Sequence, residues 1–441
     1  MSRPFTSLAT VLLVLVLYGA PGADALGGDL RVGVAKADIT PKNFSNMNPM
    51  GGSFTGVHDP IYARALLLQD GRNTAAIISL DVIETGDTMP LRRRIDKELG
   101  IAADHVLITA THDHSAPRLG EVTPGAQAHP GTVESDAYTR LVDDVIIDSL
   151  KRARATLQPA ALGLDRGHAD VNVNRDLYTP RGWTMGFNAE GPSDKTVWVI
   201  KFVNSVGDPI AVLFNYAVHS TATLGTQLVS GDIAGAAERY VEQHYGGKLV
   251  ALWTLGPAGD QNPRFAGGEP QGIGRGVPDD PRGDDARRLV FEANDAQGFM
   301  VGAEVVRVAN TIQRTDASAR IEAEERVFSC PLKRAVNQMA DMKQADVASI
   351  PIHLGLIMIN DIALTGVSAE IVTNIYWHLK RASPLTDTIL MTIANDRIGY
   401  VADDAAYDTP IFEVGGSPAA RGCAEDGIVG GLVDMIKMHL H

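Results

Sequence analysis

Two histidines stand one residue apart in His112-Asp113-His114, and a third, His219, comes much later in the chain. On an extended segment, side chains two positions apart point to the same face, so one metal ion or its bound water is within reach of both imidazoles. A hydrogen-bonded pair of core histidines has the same signature. His219 and Glu370 favour the metal, because neutral imidazoles with a carboxylate suit Zn²⁺, and three protein ligands leave a coordination position for water. Glu370 also has a second reading. In Gly366-Val-Ser-Ala-Glu370-Ile-Val-Thr-Asn-Ile-Tyr-Trp-His378, Ser368 is a candidate N-cap and Glu370 a first-turn partner of the helix dipole.

The elements that must position these residues are legible as strand-length apolar runs separated by amphipathic helical stretches, at Asp136 to Leu157, Asp232 to His244 and Glu370 to Arg381. This is α/β organisation. Hairpins are predicted from Ala65 to Val82 around Asp70-Gly71 and from Ile352 to Val367 around Asn360-Asp361, so the sheets are expected to be mixed, with helices around them. The residues just past the apolar runs share a chemistry. Ala75-Ala-Ile-Ile-Ser-Leu ends in Asp81, Val106-Leu-Ile-Thr-Ala-Thr in His112, and Ala211-Val-Leu-Phe-Asn-Tyr-Ala-Val in His219. Leu249-Val-Ala-Leu-Trp-Thr-Leu leads to Asp260, and Ile362-Ala-Leu-Thr-Gly-Val to Glu370. Loops converge at the carboxyl ends of strands in α/β sheets, so metal-competent residues at several such ends point to one shared site.

Composition narrows the function classes. Net charge is −14, and no Lys/Arg run exceeds Arg92-Arg93-Arg94. Nucleic acid is an unsuitable partner, since phosphate binding needs a concentrated basic face. The triplet reads as the solvated side of a short helix from Pro90 to Leu99. The start, a basic segment, the apolar Leu12 to Tyr18 and an Ala23-Asp24-Ala25 cleavage pattern, reads as a signal peptide over residues 1–25, with a retained anchor as the other reading. No later window reaches the ~20 apolar residues of a spanning helix, so the mature chain is expected to be secreted or periplasmic without a transmembrane segment. Cys330 and Cys423 could form one disulfide in an oxidising compartment or remain two buried thiols. The Gly- and Pro-rich stretch Gly267 to Asp285 reads as a long insertion over one large core. Its glycines Gly272, Gly274 and Gly276 lack the strand-before, helix-after setting of a phosphate loop.

Further motifs run along the chain: Val32-Gly-Val-Ala-Lys-Ala-Asp38-Ile-Thr-Pro41, Ala110-Thr-His112-Asp-His114-Ser-Ala-Pro117, Val171-Asn-Val-Asn-Arg175, Asp194-Lys195, Tyr216-Ala-Val-His219 and Ser230-Gly-Asp232. In number and order they resemble the neutral/alkaline, non-lysosomal ceramidase family, with its Thr-His-Thr-His-Ser-Gly-Pro, Asn-Ile-Asn-Arg, Asp-Lys, Ala-Val-His and Gly-Asp motifs. The resemblance implies a single catalytic domain over residues 26–441 and a zinc ion held by His112, His219, Glu370 and Tyr400. The tyrosine comes from Ala394-Asn-Asp-Arg-Ile-Gly-Tyr400-Val, which resembles the family's Asn-x-Tyr-x-x-Tyr at its second tyrosine, with Tyr407 as a nearby rival. It also implies a substrate pocket lined by His114 and Arg175, bordered by Asp260, Asn262 and Tyr407.

The implied reaction is hydrolysis of an acyl bond, most simply the amide of a ceramide-like N-acylsphingosine, because zinc lowers the pKa of bound water to about 7 and no side-chain nucleophile is required. His114 would carry the proton to the leaving amine, while Tyr400 or Arg175 stabilises the oxyanion. The family's Gly-Asp-Val-Ser-Pro-Asn is here Gly259-Asp260-Gln261-Asn262-Pro263-Arg264, so a serine nucleophile at that position is excluded. The family's immunoglobulin-like C-terminal domain has no counterpart before His441, and a polar substrate could replace the sphingolipid. An esterase or lactonase, or a metal-holding binding protein without turnover, stands as the alternative.

Overall fold

The computed structural model describes residues 28–127, 131–265, 283–333 and 347–440. Residues 1–25 and the glycines Gly272, Gly274 and Gly276 lie outside the described residues.

Eight strands build a large sheet: Arg31–Asp38 (β1), Tyr62–Gln69 (β2), Thr74–Leu80 (β3), Val106–Ala110 (β4), Gln158–His168 (β5), Thr196–Asn204 (β6), Pro209–Tyr216 (β7) and Val250–Leu255 (β8). Their order across the sheet is β8-β7-β6-β5-β1-β2-β3-β4. A second sheet contains Ile321–Pro331 (β9), Ser349–Ile359 (β10), Ile362–Val367 (β11) and Thr388–Thr392 (β12), hydrogen-bonded in that order. Both expected hairpins form, β2 with β3 and β10 with β11, each antiparallel. The pairs β3–β4, β7–β8 and β11–β12 are parallel, so both sheets are mixed.

Six helices cover the sheets: Met89–Leu99 (α1), Val133–Ala155 (α2), Asp232–His244 (α3), Asp284–Thr311 (α4), Thr373–Ala382 (α5) and Ala424–His439 (α6). The two sheets face each other through Leu66, Ile77, Phe202 and Leu213 on one side and Ile357, Leu364 and Ile389 on the other. On the outer face of the large sheet, Ala65 and Ile78 pack against Val142 and Ile146 of α2, and Val199 and Phe214 against Ile233 of α3 and Val301 of α4. On the outer face of the small sheet, Ile352 and Leu354 meet Ile375 of α5 and Ile428 of α6. The result is a helix–sheet–sheet–helix stack. Strands buried on both faces read as near-continuous apolar runs rather than alternating ones, which is why periodicity found them as runs.

Two local expectations are corrected. Arg92 does not face solvent with its neighbours: it is buried, and its guanidinium reaches Glu325 at 2.8 Å and the Ala103 carbonyl at 3.0 Å. Its stem lies along the apolar stripe of α1, and a partner in β9 supplies the compensating charge that burial requires. Glu370 is not in the first turn of α5. It belongs to a two-residue strand, Glu370–Ile371, and the helix begins only at Thr373. Ser368 does not cap it, because its hydroxyl accepts from the His353 N–H at 2.9 Å. The first helical N–H is held instead by Asp260, whose Oδ1 accepts from Thr373 N at 2.9 Å.

The two cysteines form a disulfide, with Cα atoms 5.8 Å apart, that ties β9 to the start of α6. No helix among the described residues is long and apolar enough to cross a membrane.

Candidate metal centre

β4 ends at Ala110, and two residues later His112 adopts a left-handed backbone, φ 58°. The segment is therefore a turn, which corrects the extended geometry expected of the His-x-His pair. Its backbone is fastened on two sides: Asp113 N–H donates to the Val82 carbonyl beyond β3 at 3.1 Å, and His114 N–H to the Ser220 carbonyl beyond β7 at 3.0 Å. The turn still brings the imidazoles together, with ring centroids 4.7 Å apart.

Each of the two fully buried histidines is oriented by its Nδ1. That of His112 lies 2.8 Å from the Ile83 carbonyl, and that of His219 lies 2.7 Å from the Ala258 carbonyl. A carbonyl can only accept, so both Nδ1 atoms carry the proton and both Nε2 atoms keep a lone pair for the site. Burial and the nearby Arg175 push the His219 imidazolium down to about 3, so this ring is neutral at physiological pH.

A separate two-stranded sheet supplies the anionic side. Glu370–Ile371 pairs in parallel with Tyr400–Val401, and Glu370 is the register partner of Tyr400. Glu370 Oε2 lies 3.0 Å from His112 Nε2 and 3.1 Å from His219 Nε2, and the Tyr400 hydroxyl lies 3.3 Å from His219 Nε2. Burial opposes ionisation of Glu370, but the Arg397 guanidinium and the histidine rings that face the carboxylate outweigh it and hold the carboxyl well below the usual range. Burial, reinforced by Glu370, pushes the Tyr400 phenol up, so it stays protonated. His114 Nε2 is 3.3 Å from His112 Nε2, and the nitrogens of His112, His114 and His219 lie within 4.8 Å of one another. His112 and His219 thus arrive from strands of the large sheet, and Glu370 and Tyr400 from a separate two-stranded sheet that follows β11 and β12 in the chain.

The donor set fits a metal ion. Two nitrogen lone pairs and a carboxylate oxygen meet at 3.0–3.1 Å with no proton assigned between them, a contact that repels unless a cation stands among the three. Tetrahedral zinc with bonds of ~2.0–2.1 Å places its ligand atoms about 3.3 Å apart, close to these separations.

Arg175 lies beside the cluster on the strand Asn172–Thr179. Its Nη1 is 3.3 Å from both His219 Nε2 and Asn262 Oδ1, and its Nε donates to Glu413 at 2.6 Å. Asp260 has both carboxylate oxygens engaged, one by Thr373 and the other by Asn174 at 3.1 Å, while its carbonyl accepts from Arg175 N–H at 3.0 Å. It clamps the strand bearing Arg175 to the start of α5. Burial pushes its carboxyl up to about 6. Tyr407 is not brought into the cluster by any of these contacts: its hydroxyl bonds Ser417 Oγ and the Ala419 carbonyl, both at 2.9 Å. Tyr400 is the tyrosine that meets the histidines.

Sequence reading missed Glu413, Arg397, Glu84 and Arg118, all buried. Arg397 grips the outer oxygen of Glu370, and Glu84 joins Arg397 to Arg118. Burial and the adjacent Glu413 push the Asp176 carboxyl up to about 9, so it keeps its proton beside Glu413. Only Glu84 carried a usable signal, standing just past the run that ends at Asp81.

Residues 30–322 match the family model described as neutral/alkaline non-lysosomal ceramidase, N-terminal. The neutral ceramidase of Drosophila pseudoobscura pseudoobscura is 28% identical over 276 residues, covering 54% of this chain and 36% of that protein. Neutral ceramidase A of Dictyostelium discoideum is 27% identical over 264 residues, with the same coverage of 54% and 36%. The match thus spans about a third of the length of these curated relatives. A crystal structure of neutral ceramidase from Pseudomonas aeruginosa superposes with a TM-score of 0.72 at 20% identity, covering 94% of this chain and 74% of that one, which shows a shared fold. Glu370, Arg397 and Tyr400 lie beyond the matched segment, yet the chain folds Glu370 and Tyr400 onto the histidines and Arg397 behind Glu370. The chain belongs to the neutral/alkaline non-lysosomal ceramidase family.

Proposed function

We propose that this chain is an exported zinc-dependent amidohydrolase that cleaves the amide of an N-acylated, ceramide-like substrate, with residues 26–441 as its catalytic domain after a signal peptide. The observation that carries the metal assignment is the meeting of His112 Nε2, His219 Nε2 and Glu370 Oε2, with both Nδ1 atoms committed to carbonyls. Tyr400 completes the ligand set. Zinc supplies, when bound, a Lewis acid and a water of pKa about 7.

The chain's own residues do the rest. Arg175 has a buried Nη2 without a partner among the described residues, a donor suited to the oxygen that becomes negative as the carbonyl is attacked. Glu413 holds the guanidinium by its Nε. His114 is the one histidine of the three with part of its surface open, which suits it to take the proton of the attacking water and pass it to the leaving nitrogen as the C–N bond breaks. Asn262 borders the acyl group through Arg175, and Asp260 supports that wall by clamping the strand that bears Arg175 to the start of α5.

Purified protein is expected to carry one zinc per chain and to hydrolyse a fluorogenic N-acylsphingosine, assayed beside short acyl amides and esters. His112→Ala and His219→Ala should lose metal and activity together. His114→Ala should keep zinc and lose roughly 10²-fold or more in turnover. A wild type without stoichiometric metal defeats the proposal, and metal retained by both ligand variants defeats the ligand set. Turnover of esters alone would assign esterase or lactonase chemistry, and zinc with no turnover would leave a binding protein.

A further inference from the structure

Glu370 presents its two oxygens to opposite surroundings. Oε2 lies between the Nε2 atoms of His112 and His219, at 3.0 and 3.1 Å. Oε1 is gripped by the Arg397 guanidinium through Nε at 2.7 Å and Nη2 at 2.5 Å. Arg397 is itself held in place. Its Nη1 reaches Glu84 Oε2 at 3.0 Å and the Gln127 carbonyl at 2.5 Å, and the other oxygen of Glu84 accepts from Arg118 Nε at 3.2 Å. All four side chains are buried, so alternating charges run from Arg118 through Glu84 and Arg397 to Glu370 with little solvent to screen them. Arg397 stands where the Asn-x-Tyr-x-x-Tyr pattern has its first tyrosine.

A guanidinium behind a metal-binding carboxylate has two effects of opposite sign. As a positive charge it repels a cation, and its removal would tighten metal binding. As a rigid fork of donors it fixes the plane and rotation of the carboxylate, and its removal would loosen the site. Here two of its nitrogens bind the same oxygen while a third is anchored by Glu84, so the fork is fully used and its charge is largely offset by that second carboxylate.

We propose that Arg397 is a positioning residue that confines Glu370 to one-oxygen coordination, with Glu84 and Arg118 as its support. The proposal rests on the metal reading of the site. With Oε1 withheld, the centre offers two imidazoles, one carboxylate oxygen and a phenol, a small ligand set. That suits zinc and disfavours Ca²⁺, which takes six to eight oxygens and commonly a bidentate carboxylate.

The test pairs zinc affinity, by competition with a chelator, with the visible absorption of the cobalt(II)-substituted protein, whose intensity falls as coordination number rises. Arg397→Gln should bind zinc about 10- to 100-fold more weakly than wild type. Its cobalt absorption should weaken as the freed Oε1 joins the metal. Arg397→Lys keeps the charge and loses the fork, so both readouts should move the same way by a smaller factor. It also serves as the test should the glutamine variant fail to fold. Unchanged or tighter zinc binding, or an unaltered cobalt spectrum, in a folded variant overturns the proposal. A wild type that binds no zinc removes the metal reading and this inference together, whereas a wild type that binds zinc alongside indifferent variants removes the inference alone.

Discussion

His112 combines full burial, a left-handed backbone and a ring pinned by a carbonyl, and together these aim one nitrogen. The histidines were legible in the sequence because they come directly after apolar runs. Arg397, Arg118 and Glu413 were not, because a charged residue in sequence reads as surface unless its partner is known, and these partners are far away along the chain. Arg92 illustrates the same blindness in α1. Burial also acts on single groups outside the site. Asp143, on α2 and part-exposed, has its carboxyl pushed up to about 6 by burial, from an unfolded value near 3.9. A raised carboxyl favours the fold while protonated, so the stability it contributes is present below about pH 4 and lost as the pH rises through 6. Asp143→Asn is therefore expected to match wild type near pH 4 and to exceed it by about 1 kcal/mol at pH 7, after allowance for solvent screening. Urea denaturation at the two pH values measures this, and an equal difference at both would refute it.

Between residue and molecule, short elements decide where the ligands fall. The pairing of Glu370–Ile371 with Tyr400–Val401 leaves no trace in the sequence, since two-residue strands have no periodicity to detect. The expectation of a first-turn Glu370 failed for a related reason: the cap of α5 comes from Asp260 across the fold rather than from a neighbouring serine. The longer strands behaved differently: β3, β8 and β11 end where their apolar runs do, and β4 and β7 end within two residues of that point. The ligand strand is also braced from behind. Gly259 N–H donates to the Ile371 carbonyl at 2.9 Å, and a Cβ at Gly259 would lie 2.9 Å from that carbonyl's carbon and oxygen. Gly259→Ala must push Ile371, and with it Glu370. We expect zinc affinity to fall about tenfold or more, as for lost outer-shell support, in a protein that still folds. Metal titration of the variant decides the matter, and wild-type affinity would show that the strand yields without moving Glu370.

Among the described residues the two main sheets are joined face to face by Leu66, Ile77, Phe202, Leu213 and their partners, with helices outside. The fold class was legible because both sheets are dense in apolar runs, whereas their mutual packing depends on contacts that no local pattern encodes. His112 and His219 leave the large sheet, and Glu370 and Tyr400 sit in a separate two-stranded sheet, in the chain just beyond β11 and β12 of the small one, so an ion held by all four is also a rivet between the two halves of the stack. Rivets obey mass action. A ligand that binds only the folded form stabilises it by about 2.7 kcal/mol at a hundredfold excess over its dissociation constant. The unfolding temperature should accordingly climb with free zinc and drop on chelation, and in the partly melted, zinc-free molecule hydrogen exchange should quicken first along Glu370–Ile371 and Tyr400–Val401, the seam where one layer lets go of the other.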